Sequence, residues 1–295
     1  AAIAAAAARR IVPRRSQGNY VMDRRLKLIV SLSTLAVGAS ALAGCGGEGE
    51  GEAAGGDASS AKHADGHGEG EGEAGAAPAA GSESEGAAVS GASGDKAAYV
   101  AGLLMARGHL RAGAELYAAN DRETALAHLQ HPQAEILTNL APAFAAFGAQ
   151  SIAPALEALA AAGAAGASPA EIDARRIDAY RAIAAAEAAA GPSTRDRLLA
   201  AARVLTIAAD EYAVAVVDGA LVNAHEYHDA YGFIAEAGAH LSEMRGADAA
   251  EQAAIEQARA QIAAASAAAP SIAPPADGFK PASTIYGAAA RIEIA

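Results

Sequence analysis

Alanine dominates this chain: 92 of its 295 residues are alanine, against twelve aromatics and no tryptophan. Any core it forms must be assembled from small side chains, which argues against a large aromatic-lined pocket. The length leaves room for one or two domains. A single cysteine excludes an intramolecular disulfide framework and a Cys-rich zinc site, so a bound metal would have to be held by histidines and carboxylates. The net charge of −12 argues against a nucleic-acid partner, because phosphate binding depends on basic side chains displacing counterions.

The N-terminal part carries the order of a targeting segment. Met22-Asp23-Arg24-Arg25-Leu26-Lys27 is a basic opening, an uncharged and mostly apolar stretch runs from Leu28 to Ala43, and Leu42-Ala43-Gly44-Cys45 closes it with small residues. That last tetrapeptide resembles the lipobox of bacterial lipoproteins. The resemblance implies cleavage before Cys45, acylation of Cys45 and a lipid anchor, here a palmitate-type chain. A transmembrane helix followed by a stray cysteine is the alternative, but the apolar run is short for a span. Residues 1–21 precede a better start at Met22 and are expected to be a translation-start artefact, so 1–44 comprises that stretch plus a signal peptide. Without it the chain has 15 basic and 33 acidic residues. Anionic lipid heads would repel so acidic a protein, so the lipid has to hold it at the membrane. Gly46 stands where lipoproteins retained at the inner membrane often carry Asp, and the resemblance therefore implies the periplasmic face of the outer membrane.

Residues 46–94 hold 15 glycines, ten carboxylates and one lysine. Such a composition cannot bury enough apolar surface to offset chain entropy, so 45–94 reads as a disordered acidic tether. A flexible chain of that length spans on the order of 40 Å. His63 and His67 within it either capture cations loosely or are incidental to a solvated spacer.

From Asp95 apolar residues recur at helical spacing between cap and turn signals. The pattern predicts helices at 96–119, 121–129, 133–147, 151–164, 169–190, 194–217, 222–245 and 248–268. Ser168-Pro169 and Pro192-Ser193-Thr194 mark starts, and Asp218-Gly219 and Gly246 mark stops. The expected fold is an all-α helical bundle over 95–270, its helices in close alanine-mediated contact. Residues 271–295 are expected to form an irregular tail, docked through Phe279, Ile285 and Tyr286, with a short extended piece at 289–294.

Chemistry is best sought on the helix at 222–245. On a helical wheel Val222, Ala230, Phe233, Ala237, Leu241 and Met244 form a stripe about 100° wide. Glu226 lies at its centre, Asp229 and His240 at its edge, His225 farther out and His228 on the opposite side. A carboxylate centred on an apolar face must be paired, protonated or bound to a cation. Glu226 is therefore either a metal ligand or half of an ion pair with an arginine of the first helix. On that first helix His109 faces inward, as a core histidine or as a ligand. His128 and His131, three apart across a helix break, either present two imidazoles to one ion or complement a helix dipole.

Several enzyme signatures are missing. There is no Glu-x-x-His pair of a di-iron bundle, His225-Glu226-Tyr227-His228 is one residue too short for a zinc-protease motif, and no Gly-x-Ser-x-Gly or phosphate-cradling loop occurs in the helical part. With Gly108-His109-Leu110 in its first helix and the run from Glu226 to Ala230, the lipid-anchored, alanine-rich domain resembles the imelysin-type and iron-permease-associated periplasmic proteins over residues 96–295. That resemblance implies handling of iron or copper by histidines and carboxylates without turnover. The imelysin spacing Gly-x-His-x-x-Glu is absent, since Gly108 adjoins His109 and position 112 is Ala. Only a metal-associated helical module is carried over.

Two functions are thus expected to compete. One is a tethered module, not an enzyme, that binds an iron or copper ion through His109, Glu226, Asp229 and His225 and assists a membrane metal transporter. The other is a structural or interaction lipoprotein in which the same residues are core ion pairs.

Overall fold

The computed structural model of the chain describes residues 85–295. The basic and apolar leader, Cys45 and the tether as far as residue 84 lie outside the described residues.

Nine helices account for almost all of the regular structure among those residues. They are α1 (Lys96–Ala118), α2 (Arg122–His131), α3 (Leu137–Ala146), α4 (Ala153–Ala164), α5 (Pro169–Ala190), α6 (Thr194–Ala215), α7 (Ala224–Glu243), α8 (Ala249–Ser266) and α9 (Ser283–Glu293). Ser168 and Ser193, read as starts from the sequence, are real caps, and Asp95, Asn223 and Asp248 cap three further helices. Asp95 accepts from the backbone N–H groups of Ala97 and Ala98, Ser168 from Glu171, Asn223 from His225 and Glu226, and Asp248 from Ala250 and Glu251. Ser193 and Asp196 form a reciprocal capping box at α6. No helix among the described residues is long and apolar enough to cross a membrane.

Helix α1 is the centre of the bundle. It is buried along most of its length and packs on α2, α5, α6 and α7, while α6 also packs on α7 and α9. Small residues allow the closest of these approaches. A Cβ at Gly232 would lie 2.4 Å from the carbonyl oxygen of Gly108, and one at Gly108 would lie 2.4 Å from Phe233 Cδ1. The backbones of α1 and α7 therefore touch where only glycine fits, next to His109 and one turn from Asp229.

Four features depart from the sequence expectation. Residues 85–94, assigned to the tether by composition, pack on the bundle: Val89 and Ala92 are buried, and Glu85 is only 2% exposed. The Gly- and Ser-rich average hides these anchors. The expected helix 133–147 opens instead with a π-helical turn, Pro132–Ile136, in which the N–H of Leu137 reaches the carbonyl of Pro132. Pro132 has no N–H to offer the carbonyl of His128, and the wider turn absorbs that break inside otherwise continuous helix. The helix expected to reach residue 217 stops at Ala215. There Val216–Val217 pairs with Ala220–Leu221 across a tight turn, with Asp218 and Gly219 both at positive φ. The tail, finally, is not irregular throughout. Ile285, Ala288, Ala289 and Ile292 are buried at helical spacing in α9, so the extended piece expected at 289–294 does not form.

Candidate metal centre

Five elements converge beside the Gly108–Gly232 crossing. Helix α1 brings His109, α2 brings His128 and His131, the π turn brings Glu135, α7 brings His225, His228 and Asp229, and the short helical segment at 85–88 brings Glu85. Asp229 is the hub. Its Oδ1 lies 2.6 Å from His109 Nδ1 and 2.9 Å from His128 Nδ1, and its Oδ2 lies 3.8 Å from His225 Nε2 and 3.9 Å from His131 Nδ1. On its other edge His109 Nε2 lies 2.9 Å from Glu85 Oε2. His128 stacks on His225 with ring centroids 4.1 Å apart, and the Nε2 atoms of His225 and His131 approach to 3.3 Å.

One ligand atom each from His109, His128, His131 and Asp229 lie within 4.8 Å of one another, and so do those from Glu85, His109 and Glu135. A tetrahedral ion with bonds near 2.0–2.1 Å holds its ligand atoms roughly 3.3 Å apart, so modest side-chain movement would close the first set on a cation. Two imidazoles of that set also carry buried nitrogens without a hydrogen-bond partner, His128 Nε2 and His131 Nδ1. A polar atom left so is costly in a closed core and is what a metal ligand looks like without its ion.

The electrostatics sort the groups by charge. Burial disfavours the His109 cation, but Glu85 and Asp229 outweigh it and hold its pKa well above the ordinary histidine value. Burial likewise opposes the Asp229 anion, yet His109 and His128 keep it well below the carboxylate range. Glu85 is pushed up by burial, against the pull of His109. Around His109 and Asp229 sit neutral bases. Burial, and then the neighbouring imidazoles, lower His131 to about 3 and His228 to about 4, and lower His225 as well. A metal displaces protons from its ligands, so bases held in this state meet no proton competition at neutral pH. Glu135 is raised to about 7 by burial and by Glu85.

The residues singled out from sequence are placed as follows. His109 and Asp229 are in direct contact, and His225 borders them. Glu226 is buried as the wheel required, but it belongs to neither donor set. Its partners are Asn223, whose Nδ2 lies 3.5 Å away, and Glu211 of α6, and burial raises its pKa. The arginines of α1 turn to Glu236 instead, with Arg107 Nε at 2.8 Å and Arg111 Nε at 2.6 Å. His228, placed opposite the apolar stripe, is nonetheless buried, 5.5 Å from the His128 ring, because α7 is covered by α1, α6 and α8 on more than one face. His128 and His131 both join Asp229 in the first donor set. Glu135 was visible only as a carboxylate four residues beyond His131, and Glu85 was hidden in the Gly/Glu stretch.

Residues 187–295, which contain α6 to α9, match the family described as iron permease-associated 4-helix bundle domain. No curated protein and no solved structure matches the chain. The family match supports an iron-permease-associated helical domain over those residues and a role linked to iron uptake, consistent with a link to a membrane metal transporter.

Proposed function

We propose that this protein is a lipid-tethered envelope module that binds one transition-metal ion, iron or copper, at His109, His128, His131 and Asp229 and supports its delivery to a membrane permease. The observation that carries the reading is the convergence of four donors, two of whose imidazoles keep buried nitrogens without a hydrogen-bond partner. Imidazole-rich sets suit zinc, copper, iron and nickel among the first-row metals, and the iron-permease-associated match in the same chain supports the link to iron uptake. His225, 3.8 Å from Asp229 and half-buried with His131, sits where an ion would enter. Glu226 borders the site through Asn223 and adds negative charge to it when ionised. The role is capture and transfer without turnover, and lipid on Cys45 supplies the attachment.

One observation favours the structural alternative. Both nitrogens of His109 already meet carboxylates, so that trio is complete without an ion. Thermal unfolding separates the two. An ion that binds only the folded state stabilises it by about 2.7 kcal/mol at a hundredfold excess over Kd. The chelator-stripped protein should melt higher with cupric or ferrous ion added, and His128→Gln should abolish the rise. Absence of any shift with iron, copper, zinc or manganese would leave the structural reading.

A further inference from the structure

Resting on that reading of the imidazole-rich site, we propose that His109 is shared by two cation sites, one on each of its ring nitrogens. Its Nδ1 is 2.6 Å from Asp229 on the side of His128 and His131, whereas its Nε2 is 2.9 Å from Glu85 on the side of Glu135. The donor atoms of Glu85, His109 and Glu135 form their own group within 4.8 Å. His131 lies between the two, its Nδ1 3.9 Å from both Asp229 Oδ2 and Glu135 Oε2. That nitrogen has no hydrogen-bond partner although it is buried, so it is an unclaimed donor within reach of both sites.

The two sites differ in chemistry. Three imidazoles and one carboxylate favour a borderline ion such as copper, while two carboxylates and one imidazole favour a harder one such as iron or manganese. An imidazole metallated on both nitrogens has lost both N–H protons and bridges the two ions as imidazolate. The ions then sit about 6 Å apart, since each bond adds roughly 2 Å to the ring. Glu85 gains a role under this arrangement. It is the buried carboxylate that closes the second site, which explains why a residue at the edge of a Gly/Glu-rich stretch is packed into the core.

Cupric ion probes both sites, because copper binds most tightly among the divalent first-row ions whatever the donor set. The full chain, stripped and then titrated with cupric ion, should take up two equivalents by equilibrium dialysis. The electron paramagnetic resonance signal should grow with the first equivalent and fall with the second, as spins coupled through imidazolate cancel. Glu85→Gln/Glu135→Gln should take up one equivalent and keep a full one-copper signal, with its helicity checked by circular dichroism. Glu135→Gln alone, at the more exposed edge, should weaken the second equivalent at least tenfold and serves if the double variant does not fold. One equivalent in both wild type and variant overturns the second site and leaves the single-ion reading standing. No copper bound to either overturns both. Two equivalents without loss of signal overturn the bridge.

Discussion

Helices α1 and α7 meet at two buried charged clusters, about two turns apart, that are built on opposite plans. At one, Glu236 of α7 takes Arg111 Nε at 2.6 Å and the Tyr180 hydroxyl at 2.9 Å on Oε1, and Arg107 Nε at 2.8 Å on Oε2. At the other, Asp229 is ringed by imidazoles, two of which retain buried nitrogens with nothing to bond. In the first cluster every charge faces an opposite charge at close range, and the two atoms there without an aligned hydrogen bond, Arg107 Nε and Glu236 Oε2, are paired with each other at 2.8 Å. In the second, donors exceed what the carboxylate can use. Burial of a charge alone therefore does not mark a site; the surplus of lone pairs does.

The largest expected effect falls on the arginine cluster. An arginine cannot shed its proton, so Glu236→Gln leaves the Arg107 guanidinium short of an anion, while Arg111 keeps Glu115 at 3.2 Å. Removing one partner of a buried ion pair costs about 3–5 kcal/mol, and at roughly 2–4 °C per kcal/mol for a domain of this size the melting point should drop by about 6–20 °C. Metal uptake by the surviving folded protein should be unchanged. An equal loss of metal binding would show that the two clusters are one unit.

Acid titration sharpens the contrast next. The His228 pKa is lowered to about 4 in the folded state, first by burial and then by His128. Between pH 6.5 and 4 the unfolded chain binds a proton that the native chain refuses, so this contribution is complete above pH 6.5 and is lost as pH falls through that window. The full shift corresponds to at most about 3–4 kcal/mol. Urea unfolding at pH 7 and pH 4.5 should show a smaller acid loss in His228→Asn than in wild type. Identical slopes would mean that His228 is solvated.

Asp229→Asn should do least to the stripped protein and most to its ligand. His109, unlike an arginine, can release its proton when its anion is lost, so the cost should be about 1–3 kcal/mol, below that of Glu236→Gln. Metal-induced stabilisation should vanish. Calorimetry of stripped and copper-loaded forms measures both numbers.

Much of the fold was legible because its determinants are local. Ser168 and Ser193 announce their helices by side chains that cap within three residues. Helix α9 was missed because it is short, two of its four buried positions are alanines, and Ile292 and Ile294 happen to alternate. Half of the candidate centre was legible for the same local reason, since inwardness of His109 and Asp229 follows from helical period. What period cannot tell is which inward groups meet. His128 and Asp229 are 101 residues apart and are joined only by tertiary packing, and Glu85 sits in a stretch whose average composition denies it a core. The wheel likewise placed Glu226 inward but could not reveal that the arginines of α1 turn to Glu236, ten residues farther on.

The central claim is that an ion is held by imidazoles around Asp229. X-ray absorption at the copper edge, on the full chain loaded with one equivalent of cupric ion, tests it most directly. At least two coordinated imidazoles should appear as outer-shell multiple scattering, and His128→Gln/His131→Gln should remove that pattern. A spectrum of oxygen ligands alone, or one that the double substitution leaves unchanged, would contradict the assignment.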